Sequence, residues 1–232
     1  YATVIAGKWH LGYTAEFSPN RHGFDSAFYV LGGGVDYFHY TEPDGAAMLR
    51  RDEKPIEEKG YFTDLVTAEA EAAIARYSRQ PFFLYVPYTA PHSPYQGPGD
   101  EQPAPLPADS PLWDQSEAPP AVYRAMIERL DEGVGRILKA LEEQKIDQQT
   151  LVIFTSDNGA SRSGRNAPFS GYKGTTFEGG IRVPGIVRWP GVLPRGVLSD
   201  QVAITMDFTR SILAAAGVEP PRKLDGIDVL NL

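Results

Sequence analysis

The chain has 232 residues, 42% hydrophobic and 22% charged, enough for one domain with a substantial core or two small ones. Its 30 acidic and 22 basic side chains leave a formal charge of −8 with no basic block, which argues against a nucleic-acid partner. There is no cysteine, hence no disulfide framework, thiolate metal site or cysteine nucleophile within these residues, and no apolar run approaches the roughly 20 residues that span a bilayer.

The opening stretch, YATVIAGKWHLG, reads as a short buried strand that turns at Gly7 and releases Lys8, Trp9 and His10 one after another. Ligands of α/β proteins bind where strands end, so an ammonium and an imidazole two residues apart are placed for an anion. Such pairs also occur as plain surface or packing residues. Residues 13–40 are rich in Gly and aromatics without a sustained period, and predict an ordered irregular segment beside the site, with His22 and His39 as packed or surface histidines. Residues 41–60 are polar and predict a solvated loop.

Residues 61–80 predict a helix with Thr63 as N-cap, Asp64 in the first turn, and Leu65, Ala68, Ala72 and Ala75 as its apolar face. Phe82–Val86 predicts a buried strand running into a Pro-rich turn that carries His92, a second histidine just past a strand end. Residues 97–120 are too Pro-rich for regular structure and predict a long surface loop. A second helix is predicted over 121–145, striped by Val122, Met126, Leu130, Val134, Ile137, Leu138 and Leu141. Gly133 and Gly135 weaken it by about 1 kcal/mol each unless close packing requires them.

Thr150–Ser156 predicts a third buried strand, ending in Asp157-Asn158-Gly159. A carboxylate and an amide carbonyl side by side are hard oxygen donors suited to Ca²⁺ or Mg²⁺, while Asn-Gly is also a common turn dipeptide. The Gly-rich segment 171–180 carries Lys173 but lacks the residue order of a phosphate-binding P-loop. Residues 181–189 predict a strand interrupted by Pro184, and 207–216 a short helix capped by Asp207 and stopped by Gly217. The last residues carry no usable signal.

Alternating strands and helices predict an α/β domain with a largely parallel sheet. Lys8, His10, His92, Asp157, Asn158 and Lys173 all fall at or just after strand ends. Together they form an oxyanion pocket that could neutralise a sulfate or phosphate ester and protonate its leaving group.

Six segments in order, YATVIAGKWHLG, HGFD at 22–25, GYFTDLVTAEA at 60–70, PFFLYVPYTAPHSP, SDNG at 156–159 and GYKGTTFEGGIRVPGIVRWPG at 171–191, give the chain a resemblance to the type I sulfatases of the alkaline-phosphatase-like superfamily. The resemblance implies a three-layer α/β sandwich, incomplete at both ends, with 1–232 as a partial catalytic domain. It implies a Ca²⁺ site, with Mg²⁺ or Mn²⁺ the lesser choices, in which Asp157 and Asn158 are ligands. By the same resemblance Lys8 and Lys173 bind sulfate, His10 acts on the nucleophile's hydroxyl, and His92 assists the leaving group.

The family's formylglycine nucleophile arises from a C/S-x-P-x-R motif that these residues do not contain; Ser18-Pro-Asn-Arg21 has the wrong spacing. That motif, and the acidic pair completing the metal site, are expected upstream of Tyr1, and the smaller C-terminal subdomain downstream. An isolated fragment is then expected to be inactive. The implied substrate is a small-molecule or glycan sulfate ester, and the implied compartment is periplasmic, secreted or lysosomal-like. A phosphonate or phosphodiester hydrolase and a non-catalytic binder of sulfated glycans are the alternatives; oligomeric state is not readable.

Overall fold

The computed structural model describes residues 1–114 and 118–230. Strand β1 (Ala2–Lys8) is an inner strand of the main five-stranded sheet, parallel to β2 (Ser26–Val30) on one side and to β5 (Phe82–Tyr85) on the other. Beyond β2 the sheet continues antiparallel through β3 (Leu49–Arg51) and β4 (Lys54–Pro55). The α/β class is as expected, with parallel pairing where the sheet is most buried and antiparallel pairing at one edge.

Helix α1 (Phe62–Tyr77) packs on β1, and β5 (Phe82–Tyr85) follows it at the other edge of the sheet. Helix α2 (Pro120–Glu143) lies against α1. Then come β6 (Val152–Thr155), α3 (Glu178–Ile181), β7 (Gly185–Arg188) and α4 (Thr205–Ala215). No helix among the described residues is long and apolar enough to cross a membrane.

Several expectations need correction. The segment 13–40 is not irregular throughout: Ser26–Val30 is a strand with four of its five residues buried. Its signal is a bare run of five, flanked by glycines and aromatics that mask any period. Residues 41–60 are not merely a solvated loop either. They form the β3–β4 hairpin, with Asp52 in the left-handed region at its tip and the Arg51 guanidinium 5.0 Å above the Phe28 ring.

Helix α1 buries a different stripe from the one predicted: Phe62, Thr63, Val66, Thr67, Ala70, Ala73 and Ile74, while Ala68, Ala72 and Ala75 are exposed. Alanines on every side make either face look apolar. Thr67 passes as a core residue because its hydroxyl bonds to the Thr63 carbonyl (2.9 Å) and to Tyr88 Oη (2.8 Å). Thr63 is not the cap; Tyr61 holds that position without a side-chain bond.

Phe62, Val66 and Ile74 are at most 1% exposed, and burying side chains of that size stabilises the fold by about 1.5–3 kcal/mol each. On α2, Arg129 grips Asp64 of α1 through two bonds of 2.5 and 2.8 Å. Gly133 lets the two helices meet: a Cβ there would stand 2.5 Å from Thr67 Oγ1 and 2.8 Å from Tyr88 Oη. Gly135, by contrast, faces open space.

β5 is only half-buried, being an edge, with Tyr85 48% exposed. β6 is not a third member of the parallel sheet; it pairs antiparallel with β7 and is itself half-buried. An apolar run shows that a strand forms but not which strand it pairs with. Pro184 precedes β7 rather than interrupting it. The Pro-rich stretch 97–120 has no strand and, before α2 begins at Pro120, no α-helix among its described residues, Gln115–Glu117 lying outside them, yet Leu106 is buried and its N–H donates to Asp36 Oδ2 (2.9 Å). Asp207 does not precede α4 but sits in its first turn, where its Oδ2 accepts from the Ile204 N–H (2.8 Å).

Candidate active site

Gly7 sets the position of the first two site residues. At its φ of 138° only glycine sits without strain, and a Cβ there would run into the Pro87 carbonyl oxygen. This close approach lets the Lys8 N–H donate to Pro87 (2.7 Å), joining the ends of β1 and β5. The chain then stays tied to β2: Trp9 donates to Val30 (3.0 Å) and His10 to Leu31 (3.1 Å), with His10 in the left-handed region at φ 56°. Backbone strain of this kind persists where the surroundings fix it, here the tie to Leu31 and the Trp9 indole donating to the Phe17 carbonyl (2.6 Å).

Gly32-Gly33-Gly34, just after β2, forms the wall on which both histidines rest. A Cβ on Gly33 would lie 2.5 Å from His10 Cε1, and one on Gly34 would lie 2.9 Å from His92 Nδ1. His92 is fixed further by its Nδ1, which donates to the Ser93 carbonyl at 2.7 Å, and by Tyr37 Oη donating to the His92 carbonyl at 3.0 Å. With the proton on Nδ1, a neutral His92 presents Nε2 as an acceptor; it donates from Nε2 only when doubly protonated. The wholly buried Asp36 holds the start of this wall's return, accepting from Phe38 N (2.9 Å), His39 N (3.0 Å) and Leu106 N (2.9 Å).

The remaining residues arrive from the end of β6. Ser156 Oγ donates to the Asn158 carbonyl (3.0 Å), and Gly159 N–H donates to Gly180 (2.9 Å), which seats the SDNG turn on α3. Lys173 N–H donates to Ala160 (2.9 Å), so the GYKG segment is held to the same turn.

The charges show which side chains lie within electrostatic reach of one another. Burial pulls the Lys8 ammonium below the ordinary lysine range; Asp157 opposes this and Lys173 adds to it. The His10 imidazole is lowered by burial, then by Lys8 and Lys173, against Glu42. The His92 imidazole is lowered most by burial and also by Lys173 and Lys8, against the Ser93 carbonyl and Asp157. Lys8, His10, His92, Asp157 and Lys173 are thus electrostatic neighbours although they come from four segments, and Asn158 adjoins Asp157. His22 and His39 stand apart: His22 bonds to the Ser18 carbonyl (3.0 Å), and His39 lies beside Asp36.

Asp157 and Asn158 offer hard oxygens, and their side chains accept no hydrogen bond among the described residues. In kind they fit Ca²⁺, which takes six to eight oxygen ligands. In number they do not complete a site, since no group of three His, Cys, Asp or Glu able to hold a metal occurs among the described residues.

Sequence reading missed Gly33, Gly34, Tyr37 and Glu42. The run of three glycines was the available signal; nothing local marks Tyr37 or Glu42, whose roles depend on distant contacts.

Two lysines, two histidines and a carboxylate within electrostatic reach of one another on an α/β fold make a site suited to holding an anion. The Sulfatase family model matches residues 1–218, and the chain belongs to that family. Among relatives, it is 36% identical to the N-acetylgalactosamine-6-sulfatase of Canis lupus familiaris, covering 99% of this chain and 46% of that protein. The Homo sapiens protein of that name is 35% identical, with 99% and 45% covered. The solved structure of Ps i-CgsB in complex with k-i-k-neocarrahexaose is 30% identical with a TM-score of 0.83, covering 99% of this chain and 54% of that one. The chain therefore spans about half the length of these proteins, and its alkaline-phosphatase-like fold is shared with them.

Proposed function

We propose that this chain is most of the catalytic domain of a sulfuric-ester hydrolase acting on the sulfate monoester of a carbohydrate or aryl compound. The observation that carries the reading is the convergence of Lys8, Lys173, His10, His92 and Asp157 at one end of the fold. The names of the relatives, an N-acetylgalactosamine-6-sulfatase and a protein bound to a neocarrahexaose, support a carbohydrate ester.

Ca²⁺ at Asp157 and Asn158 would supply charge neutralisation, and a formylglycine from outside these residues would supply the nucleophile. Within the chain, Lys8 and Lys173 bind the sulfate oxygens. Burial of Lys8 strengthens that attraction by excluding water. Protonated His92 holds a proton on Nε2 for the departing ester oxygen, its ring orientation fixed by Ser93 and Gly34. His10 exchanges a proton on the nucleophile's side.

The test is a substrate panel on the complete protein: 4-nitrophenyl sulfate, bis(4-nitrophenyl) phosphate and a phenylphosphonate monoester, with and without chelator. The reading predicts chelator-sensitive release of sulfate, restored by Ca²⁺ and strongly reduced in Asp157→Ala. Preferred turnover of the phosphorus esters would favour the phosphonate or phosphodiester alternative, and binding of sulfated glycan without turnover of any ester would favour a non-catalytic protein.

A further inference from the structure

At the rim of the site stands a carboxylate that the sulfate chemistry does not use. Glu42 opens a tight turn, closed by the Gly45 N–H donating to its carbonyl at 2.9 Å. Its side chain lies back over Gly32, where a Cβ would overlap Oε1, so the glycine wall that seats His10 also seats Glu42. Its charge is felt at His10. Tyr13, three residues after His10, donates its hydroxyl to Glu42 Oε1 at 2.7 Å. That bond, followed by burial and the carboxylate's charge, pushes the Tyr13 phenol up to about 12, so the proton stays in place at neutral pH.

Glu42 makes no ion pair among the described residues. A negative group beside an anion site weakens attraction for sulfate, so its placement costs binding unless it meets another part of the substrate. An ionised carboxylate only accepts hydrogen bonds, and the groups that donate to it on a neutral organic molecule are hydroxyls and amides. Tyr13 occupies one oxygen and leaves the other, and its half-exposed ring offers apolar surface alongside.

We propose that Glu42, held by Tyr13 on the glycine wall beside His10, is a specificity-determining residue that accepts a hydrogen bond from a hydroxyl on the organic part of the sulfate ester and rejects a second anionic group there. The inference rests on the sulfate-ester reading above and deepens it. The favoured substrates are singly sulfated, hydroxyl-rich esters.

The experiment compares wild type, Glu42→Gln and Tyr13→Phe of the complete protein on 4-nitrophenyl sulfate, galactose 6-sulfate and galactose disulfates, each sugar also assayed as a competitor against 4-nitrophenyl sulfate. Glu42→Gln is expected to lower the ratio of kcat/KM for galactose 6-sulfate over 4-nitrophenyl sulfate roughly tenfold, mainly through KM, as for loss of a hydrogen bond to a charged group. The same change should raise the ratio of disulfate to monosulfate affinity, and Tyr13→Phe should shift both ratios in the same directions by less. Unmoved ratios, or an equal loss on all three probes, overturn the proposal while leaving the sulfatase reading intact. A wild-type protein that neither hydrolyses nor binds any of them overturns both.

Discussion

Gly33 stands so close to His10 that a Cβ on it would lie 2.5 Å from the imidazole Cε1, and Gly34 stands in the same relation to His92. Side-chain-free backbone therefore sets the angle of both rings. Gly33→Ala should displace His10, and Gly34→Ala should displace His92 together with the Ser93 carbonyl, 2.5 Å from the same added carbon. With four histidines in the chain, imidazole NMR can read each change. The His10 signal should move in the first variant and the His92 signal in the second, with His22 and His39 unmoved. Turnover of the complete protein carrying either change should fall on the order of a hundredfold, the usual cost of misplacing a catalytic group by about an ångström. Unmoved ring signals would show that the wall yields.

Both site imidazoles sit below their usual value near 6.5, chiefly through burial, with the two lysines adding to it. A lowered folded pKa means that the unfolded chain binds more protons between that value and the unfolded one. Stability therefore rises as pH climbs through this window and is lost on acidification. In metal-stripped protein, His92→Gln should flatten the dependence of the denaturation midpoint on pH below about 6.5, compared with wild type. Activity has the opposite slope, since the proton on Nε2 is lost as pH rises: kcat/KM should decline from a point below 6.5. An alkaline limb beginning above 7 would remove His92 as the donor.

Two glycines of α2, two residues apart, should respond in opposite directions. Gly133→Ala drives a methyl toward Thr67 and Tyr88 and should destabilise by about 1–3 kcal/mol, the range for overpacking. Gly135→Ala meets nothing within 4 Å and should stabilise by about 0.4–1 kcal/mol through the lost freedom of the unfolded chain. Chemical denaturation of each variant measures the difference. Equal effects would mean that α1 and α2 do not meet as closely as Gly133 requires.

Legibility followed the range of the interactions. The opening strand and the Lys8 and His10 that follow its apolar run were readable. Gly7 does not end the strand, however: β1 stays paired with β2 through Gly7 to Lys8, and the chain leaves it only after that. β1, α1, α2 and β6 were visible as elements, yet the buried face of α1 was not. Thr63 and Thr67 look polar until Tyr88 and the helix carbonyls engage Thr67, and the exposed alanines look apolar. β2 and the β3–β4 hairpin escaped because β2 is fixed by pairing with β1, and β3 by pairing with β2, rather than by their own composition. The partner of β6 was hidden for the same reason. Residue types at the strand ends suggested the site, but the wall behind it could not be read: that Gly33 faces His10 and Gly32 faces Glu42 is a long-range fact.

The central claim is that one anion is read jointly by Lys8, Lys173 and the metal at Asp157. Inhibition of 4-nitrophenyl sulfate hydrolysis by inorganic sulfate, measured in Ca²⁺-loaded complete protein, tests it most directly. Lys8→Ala, Lys173→Ala and Asp157→Ala should each raise the inhibition constant at least about tenfold, because each removes a charge interaction at a partly desolvated site. An inhibition constant unchanged in any of the three would place that residue away from the sulfate and contradict the account.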